Sequence, residues 1–148
     1  MAVELSENAL FVLKERYLNK DAAGVVIEDP GQLFRRVAHN IAQADALYGS
    51  DAKQVAALEK KFFKLLNELF FLPNSPTLMN AGNKLQQLSA CFVLPVGDSI
   101  QEIFESLKNT ALIHQSGGGT GFDFSHLRPA GDFVETTGGI ASGPVSFM

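Results

Sequence analysis

The chain is short of most of what would advertise a function by composition. Its 148 residues contain one cysteine, Cys91, no tryptophan and three histidines, His39, His114 and His126. A single thiol makes no internal disulfide, which fits a reducing cytoplasm. Scattered histidines with no second cysteine do not form a metal-ligand set, so no metal site is expected. Twelve basic against sixteen acidic residues give a net charge of -4, which argues against bulk attraction to nucleic acid. The basic side chains also lack the interleaved aromatics of a nucleic-acid surface. No apolar run approaches the ~20 residues that span a bilayer. The N-terminus lacks the basic region and apolar core of a secretory signal. No internal repeat or low-complexity tract is present.

What remains is a soluble, globular composition, 46% hydrophobic and 19% charged, sufficient for a modest core. The first third reads as helical. Ser6 caps a helix carrying Leu10, Leu13, Tyr17 and Leu18 at helical spacing, and Asn19 to Gly24 ends it. Val25-Val26-Ile27 is a short β-branched run that reads as a strand. Asp29-Pro30 with Gln32 opens a second helix by a capping-box pattern, with Leu33, Val37, Ile41 and Ala44 on one face and Tyr48-Gly49-Ser50 stopping it. Asp51 starts a third, striped by Val55, Leu58, Phe62, Leu65 and Leu69 and widened by Phe63, Leu66 and Phe70. The third helix reads as packing, not chemistry.

After Leu72 the character changes. In PNSPTLMNAG, residues 73–82, the Pro, Asn and Gly positions predict a rigid, non-helical segment. Its hydroxyls and open amides suit an anion or a sugar, or form an ordinary polar turn. A strand, Cys91 to Leu94 closed by Pro95, follows. Ser99 and Glu102 then form a capping box for a helix whose buried face is Ile100, Ile103, Phe104, Leu107 and Ala111. Asp98 and Ser99 are sufficiently explained as caps, yet a helix N-terminus also attracts anions. The run Ser116 to Phe122 is neither a P-loop, having no lysine, nor a dinucleotide fingerprint, since a helix precedes it. By pattern it is a tight helix-to-strand turn into Phe122-Asp123-Phe124. Arg128 to Gly139 reads as a loop rich in Gly, Thr and acid, with Arg128 free to pair with a phosphate, Asp123 or Asp132. Gly138 to Met148 reads as a loop feeding a helix at Pro144, capped by Ser142 or Gly143. The sequence stops where that helix would begin, as a fragment or one half of a split chain would. A lone strand cysteine is ordinarily a small buried hydrophobe.

Four stretches, PNSPTLMNAG, LSACFVLPVGDS, SGGGTGFDFSHLRPAG and ASGPVSFM, in this order resemble the start of the catalytic subunit of adenosylcobalamin-dependent (class II) ribonucleotide reductase. The resemblance is concentrated after Phe62. It implies an α/β fold, a helical N-terminal region (1–72) followed by the first strands and helices of a ten-stranded α/β barrel (73–148), here incomplete. It implies that Cys91 is one of two thiols that reduce the ribose and become a disulfide. Ser75 and Thr77 would lie near the substrate phosphates, and Ser89 and Ala90 against the ribose. Asp98, with Ser99 and Ile100 at the helix start, would contact an effector nucleotide, a deoxynucleotide or ATP, and Arg128 would begin the loop closing over it. The effector helix would also form a homodimer interface. Adenosylcobalamin would be held mainly by barrel segments outside this sequence, which would also carry the radical cysteine, the catalytic Asn and Glu, the second thiol and the C-terminal reductant cysteines. The resemblance therefore implies deoxyribonucleotide synthesis from ribonucleotides, for DNA replication, only in company with the remaining barrel. No extra N-terminal activity-control module is expected ahead of the helices. The alternatives are a truncated, non-catalytic nucleotide-binding or regulatory paralogue and an inert fragment with an aggregation-prone strand edge.

Overall fold

A computed structural model describes residues 3–147; Met148, the last residue of ASGPVSFM, lies outside them. The chain divides into two compact units, Met1–Ser89 and Ala90–Met148.

The first unit is helical: α1 (Glu7–Arg16), α2 (Pro30–Ala42), a 3-10 turn (Gln43–Tyr48), α3 (Ala52–Asn67) and α4 (Ser75–Asn80). Local side-chain chemistry starts each α-helix. The Ser6 hydroxyl accepts from the Ala9 N–H. Asp29 and Gln32 exchange hydrogen bonds at 2.8 Å in both directions, as do Asp51 and Gln54, so both helices open with complete capping boxes. The core centres on α2, where Leu33 and Ala38 are fully buried and Phe34 and Val37 nearly so. Leu18, Leu66, Leu78 and Ala81 close around them.

Several expectations for this unit need correcting. Val25-Val26-Ile27 is not a strand: only an isolated antiparallel bridge joins Lys20 to Val26, because no second partner is present to extend a ladder. Ala44 leaves the buried face of α2, since the chain tightens to 3-10 geometry after Ala42 and the stripe rotates outward. α3 ends at Asn67, and Leu69 takes a left-handed φ of 58°, so Leu69 and Phe70 are exposed instead of continuing the stripe. The PNSPTLMNAG segment is not non-helical. Asn74 caps a six-residue helix by accepting from the Thr77 N–H at 3.0 Å, and Pro76 falls in the first turn, where a missing N–H costs nothing. By compactness the first unit spans Met1–Ser89, and Leu78 of α4 with Ala81 just after it joins the same core as α2.

The second unit is a β-α-β arrangement: β1 (Cys91–Pro95), α5 (Ile100–Gln115) and β2 (Gly119–Asp123), then a small hairpin, β3 (Phe133–Val134) with β4 (Gly139–Ile140), and a 3-10 turn at Pro144–Phe147. β1 and β2 pair in parallel, Cys91 opposite Gly119 through Pro95 opposite Asp123. The second strand thus begins inside the glycine run, three residues before Phe122. The expected loop from Arg128 to Gly139 carries the hairpin, and the helix anticipated at Pro144 is a single 3-10 turn. The expected buried face of α5 is not buried. Ile100, Phe104 and Leu107 are each about 60% exposed, and Ser106 is the buried residue of the helix. Two strands cover too little of a 16-residue helix to bury a full apolar stripe.

Candidate functional site

In the first unit, the two candidate hydroxyls of the 73–82 segment sit in different settings. Ser75, at the first position of α4, is exposed and shares a hydrogen bond of 2.9 Å with the Tyr17 hydroxyl. Thr77 is buried. Its hydroxyl lies 2.6 Å from Asn74 Oδ1 and 3.0 Å from the Leu88 carbonyl oxygen. Thr77 therefore ties the start of α4 to the residue preceding Ser89, while Ser75 keeps a hydroxyl at the surface. Asn80 Nδ2 donates to the Gln87 carbonyl at 2.8 Å, a second tie between the helix and the stretch leading to Ser89.

In the second unit, Cys91 is a free, exposed thiol at the first position of β1. The carbonyl of the preceding residue, Ala90, accepts from the Gly119 N–H at 2.7 Å. Gly119 is also the cross-strand partner of Cys91, so no side chain lies directly opposite the thiol. The expectation of a buried, inert strand cysteine does not hold. The glycine run contributes more than a turn, since one of its members lies opposite the sulfur-bearing residue. Only the strand register reveals that.

The other candidates of this unit converge. Asp98 follows the end of β1, Ser99 caps α5 by accepting from the Glu102 N–H at 3.2 Å, and its hydroxyl donates to Glu102 Oε2 at 2.6 Å. Glu102 thus answers the cap through the hydroxyl. Arg128 folds back on Asp98: its N–H donates to Oδ1 at 3.2 Å and its Nε to Oδ2 at 2.6 Å. These hydrogen bonds, the backbone one foremost, hold the Asp98 carboxyl below its ordinary range. Asp123, one of the two carboxylates open to Arg128 by sequence, instead accepts from the Ser125 N–H at 2.9 Å, which lowers its pKa. Asp98, Ser99, Ile100 and Arg128 all line one cleft of about 430 Å³, whose far wall includes Thr136 and Thr137 of the hairpin connection. Those two threonines lie in the 128–139 loop that the sequence marked as rich in Gly and Thr, though neither was singled out as a site residue.

Of the histidines, His39 Nδ1 lies 2.9 Å from Glu59 on α3, and His114 Nε2 lies 2.9 Å from the Thr120 hydroxyl. Among the described residues no group of three or more His, Cys, Asp or Glu is arranged to hold a metal ion, and no helix is long and apolar enough to cross a membrane.

Comparison with known proteins follows the two units. Residues 3–86 match the family model described as "Ribonucleotide reductase, all-alpha domain", and residues 89–148 the one described as "Ribonucleotide reductase, barrel domain". The chain is 45% identical to a vitamin B12-dependent ribonucleoside-diphosphate reductase of Thermoplasma acidophilum, with 99% of this chain and 26% of that protein aligned. It is 51% identical to a protein of the same description from Mycobacterium tuberculosis, over 99% of this chain and 21% of that protein. A ribonucleoside-diphosphate reductase subunit alpha of Helicobacter pylori is 32% identical over 92% of this chain and 16% of its own length. The chain thus spans about a quarter or less of the relatives it matches.

Proposed function

Because the chain belongs to the ribonucleotide reductase large-subunit family, we propose that it is the N-terminal part of a reductase converting ribonucleotides to deoxyribonucleotides, and that it works only together with the remaining barrel. The observation that carries this is Cys91: a free thiol, exposed at the mouth of the first barrel strand, with only a glycine across from it. Buried structural cysteines are inert, whereas redox thiols need access.

Cys91 supplies one of the two thiols of the reduction. The ribose 2′-hydroxyl leaves as water, a hydrogen takes its place, and the two thiols give up two electrons and two protons to become a disulfide. The second thiol comes from outside this sequence. Ser75 and Thr77 serve the substrate phosphates, Ser75 as the exposed donor and Thr77 by fixing the turn. Ser89 and Ala90 lie along the ribose. The functional division falls after Leu72, since every residue given a nucleotide role lies in 73–148.

The cleft at Asp98, Ser99, Ile100 and Arg128 takes an effector nucleotide, a deoxynucleotide or ATP. The helix N-terminus and the guanidinium favour phosphate, and the two threonines offer further hydroxyls. The exposed apolar face of α5 forms a homodimer interface. Two relatives are named as vitamin B12-dependent, and the same cofactor, adenosylcobalamin, is assigned to this protein. The cofactor would be held mainly by the rest of the barrel. When bound it supplies the radical chemistry; this chain's own contribution is to bind, orient and reduce. The substrate is a ribonucleoside diphosphate or triphosphate, the diphosphate being the class in the same relatives' names, and the thiol chemistry belongs in a reducing cytoplasm.

The test is to express the chain continuous with the remaining barrel and assay ribonucleotide reduction. Reduction by the parent, lost in Cys91→Ser with effector binding intact, is the expected result. Equal activity of Cys91→Ser and parent refutes the role of Cys91.

A further inference from the structure

We infer that Arg36, on α2, is a positioning residue for the substrate-facing segment, acting through the C-terminal end of α4. The inference rests on the reading of Ser75 as the exposed substrate donor and of Thr77 as the residue fixing the turn that carries it.

A six-residue helix does not sustain itself in water, so its placement is set by what holds it. Arg36 holds its C-terminal end. Its Nε donates to Glu28 Oε1 at 2.7 Å and its Nη2 to Glu28 Oε2 at 2.9 Å, a bidentate pair with side chains only 13% and 8% exposed. The remaining donors point at α4: Nη1 reaches the Ala81 carbonyl at 2.5 Å and Nη2 the Leu78 carbonyl at 3.4 Å. These are carbonyls at a helix end, where partners must come from elsewhere. Glu28 is itself anchored, accepting the Asn19 N–H at 3.0 Å.

Gly82 completes the fit. A Cβ there would lie 2.9 Å from Arg36 Cγ, and its φ of +78° already favours glycine. The Asn-Ala-Gly end of the segment is therefore shaped around the arginine. Beside Gly82, Asn83 exchanges side-chain amide hydrogen bonds with Asn19, and at the other end of the helix Tyr17 meets Ser75. The orientation of Ser75 is thus dictated from α1 and α2. Lysine cannot replace Arg36, because a point charge lacks the planar fork that serves a carboxylate and two carbonyls together.

The experiment uses the chain joined to the remaining barrel and compares parent, Arg36→Lys and Glu28→Gln. Arg36→Lys is expected to raise the ribonucleotide KM about tenfold, the scale of losing a charged hydrogen-bonded contact. The expected kcat stays within about twofold and effector affinity at the Asp98 cleft is unchanged. Glu28→Gln leaves the fork on the carbonyls and raises KM less, by about threefold. A lowered Tm with KM unchanged would make Arg36 a purely structural residue and overturn the inference. So would a parallel loss of effector affinity, which signals general damage. Should Arg36→Lys fail to fold, the KM of Glu28→Gln decides. A parent that does not reduce ribonucleotides brings down the substrate reading and this inference with it. An active parent with unmoved KM in the variants brings down the inference alone.

Discussion

Arg128 and Asp98, thirty residues apart, are joined at both carboxylate oxygens: the Arg128 N–H donates to one at 3.2 Å and its Nε to the other at 2.6 Å. The pair closes the chain over the start of α5 and fixes the orientation of the guanidinium that borders the cleft. It also determines how Asp98 titrates. The carboxyl is depressed below its ordinary 3.8, so its contribution to stability is complete at pH above that value and is lost only as pH falls through the lower, folded-state pKa. NMR titration of the Asp98 carboxyl should therefore give a midpoint below 3.8. Arg128→Gln keeps the backbone N–H and removes only the side-chain contribution, so it should move the midpoint partway upward; an unmoved midpoint would show that the guanidinium does not contribute.

Cys91 is expected to react with a thiol reagent in the native chain, with one equivalent taken up and no denaturant required. Protection until unfolding would contradict its exposed position on β1. Labelling and the loss of reduction in Cys91→Ser are independent readouts of the same thiol.

Phe34 is the largest side chain at the centre of the helical core, 2% exposed. Phe34→Ala should cost about 3–5 kcal/mol in urea unfolding of the first unit, by lost transfer energy and the cavity left behind. A cost below about 1 kcal/mol would mean that the core collapses to fill the space.

Two glycines with nearly equal positive φ provide an internal control. A Cβ added at Gly24 (φ +81°) would meet nothing within 4 Å, whereas one at Gly82 (φ +78°) would face the stem of Arg36 at 2.9 Å. Gly24→Ala should cost about 1–2 kcal/mol, the left-handed penalty alone. Gly82→Ala should cost more by thermal unfolding. Equal costs would show that the arginine stem yields freely.

The exposed face of α5 carries Phe104 and Leu107, each 60% exposed. If it is a homodimer interface, Phe104→Glu and Leu107→Glu should lower the sedimentation mass toward that of the monomer and leave Tm nearly unchanged, since neither side chain is buried within its unit. A fall in Tm without a change in mass would place the face inside the fold instead.

The sequence by itself determined the parts of this protein whose causes lie within one helical turn. Ser6, Asp29, Asp51 and Ser99 cap their helices through atoms three residues away, so no distant partner was required to recognise them. Three N-terminal helices, then β1, α5 and β2 in that order, and the family resemblance were equally legible, being written in contiguous motifs. What only the tertiary structure decided involves partners remote in sequence. Arg128 had three candidate partners by composition and found a fourth, Asp98, because β1 and β2 run side by side and bring the ends of both strands together. Asn74 to Asn80 became a helix despite its prolines, because Pro76 falls where no N–H is needed and Arg36 holds the far end. The stripe of α5 looked like a core face, since periodicity reports that a helix has an apolar side. Whether anything covers that side depends on strands that two-stranded pairing does not supply.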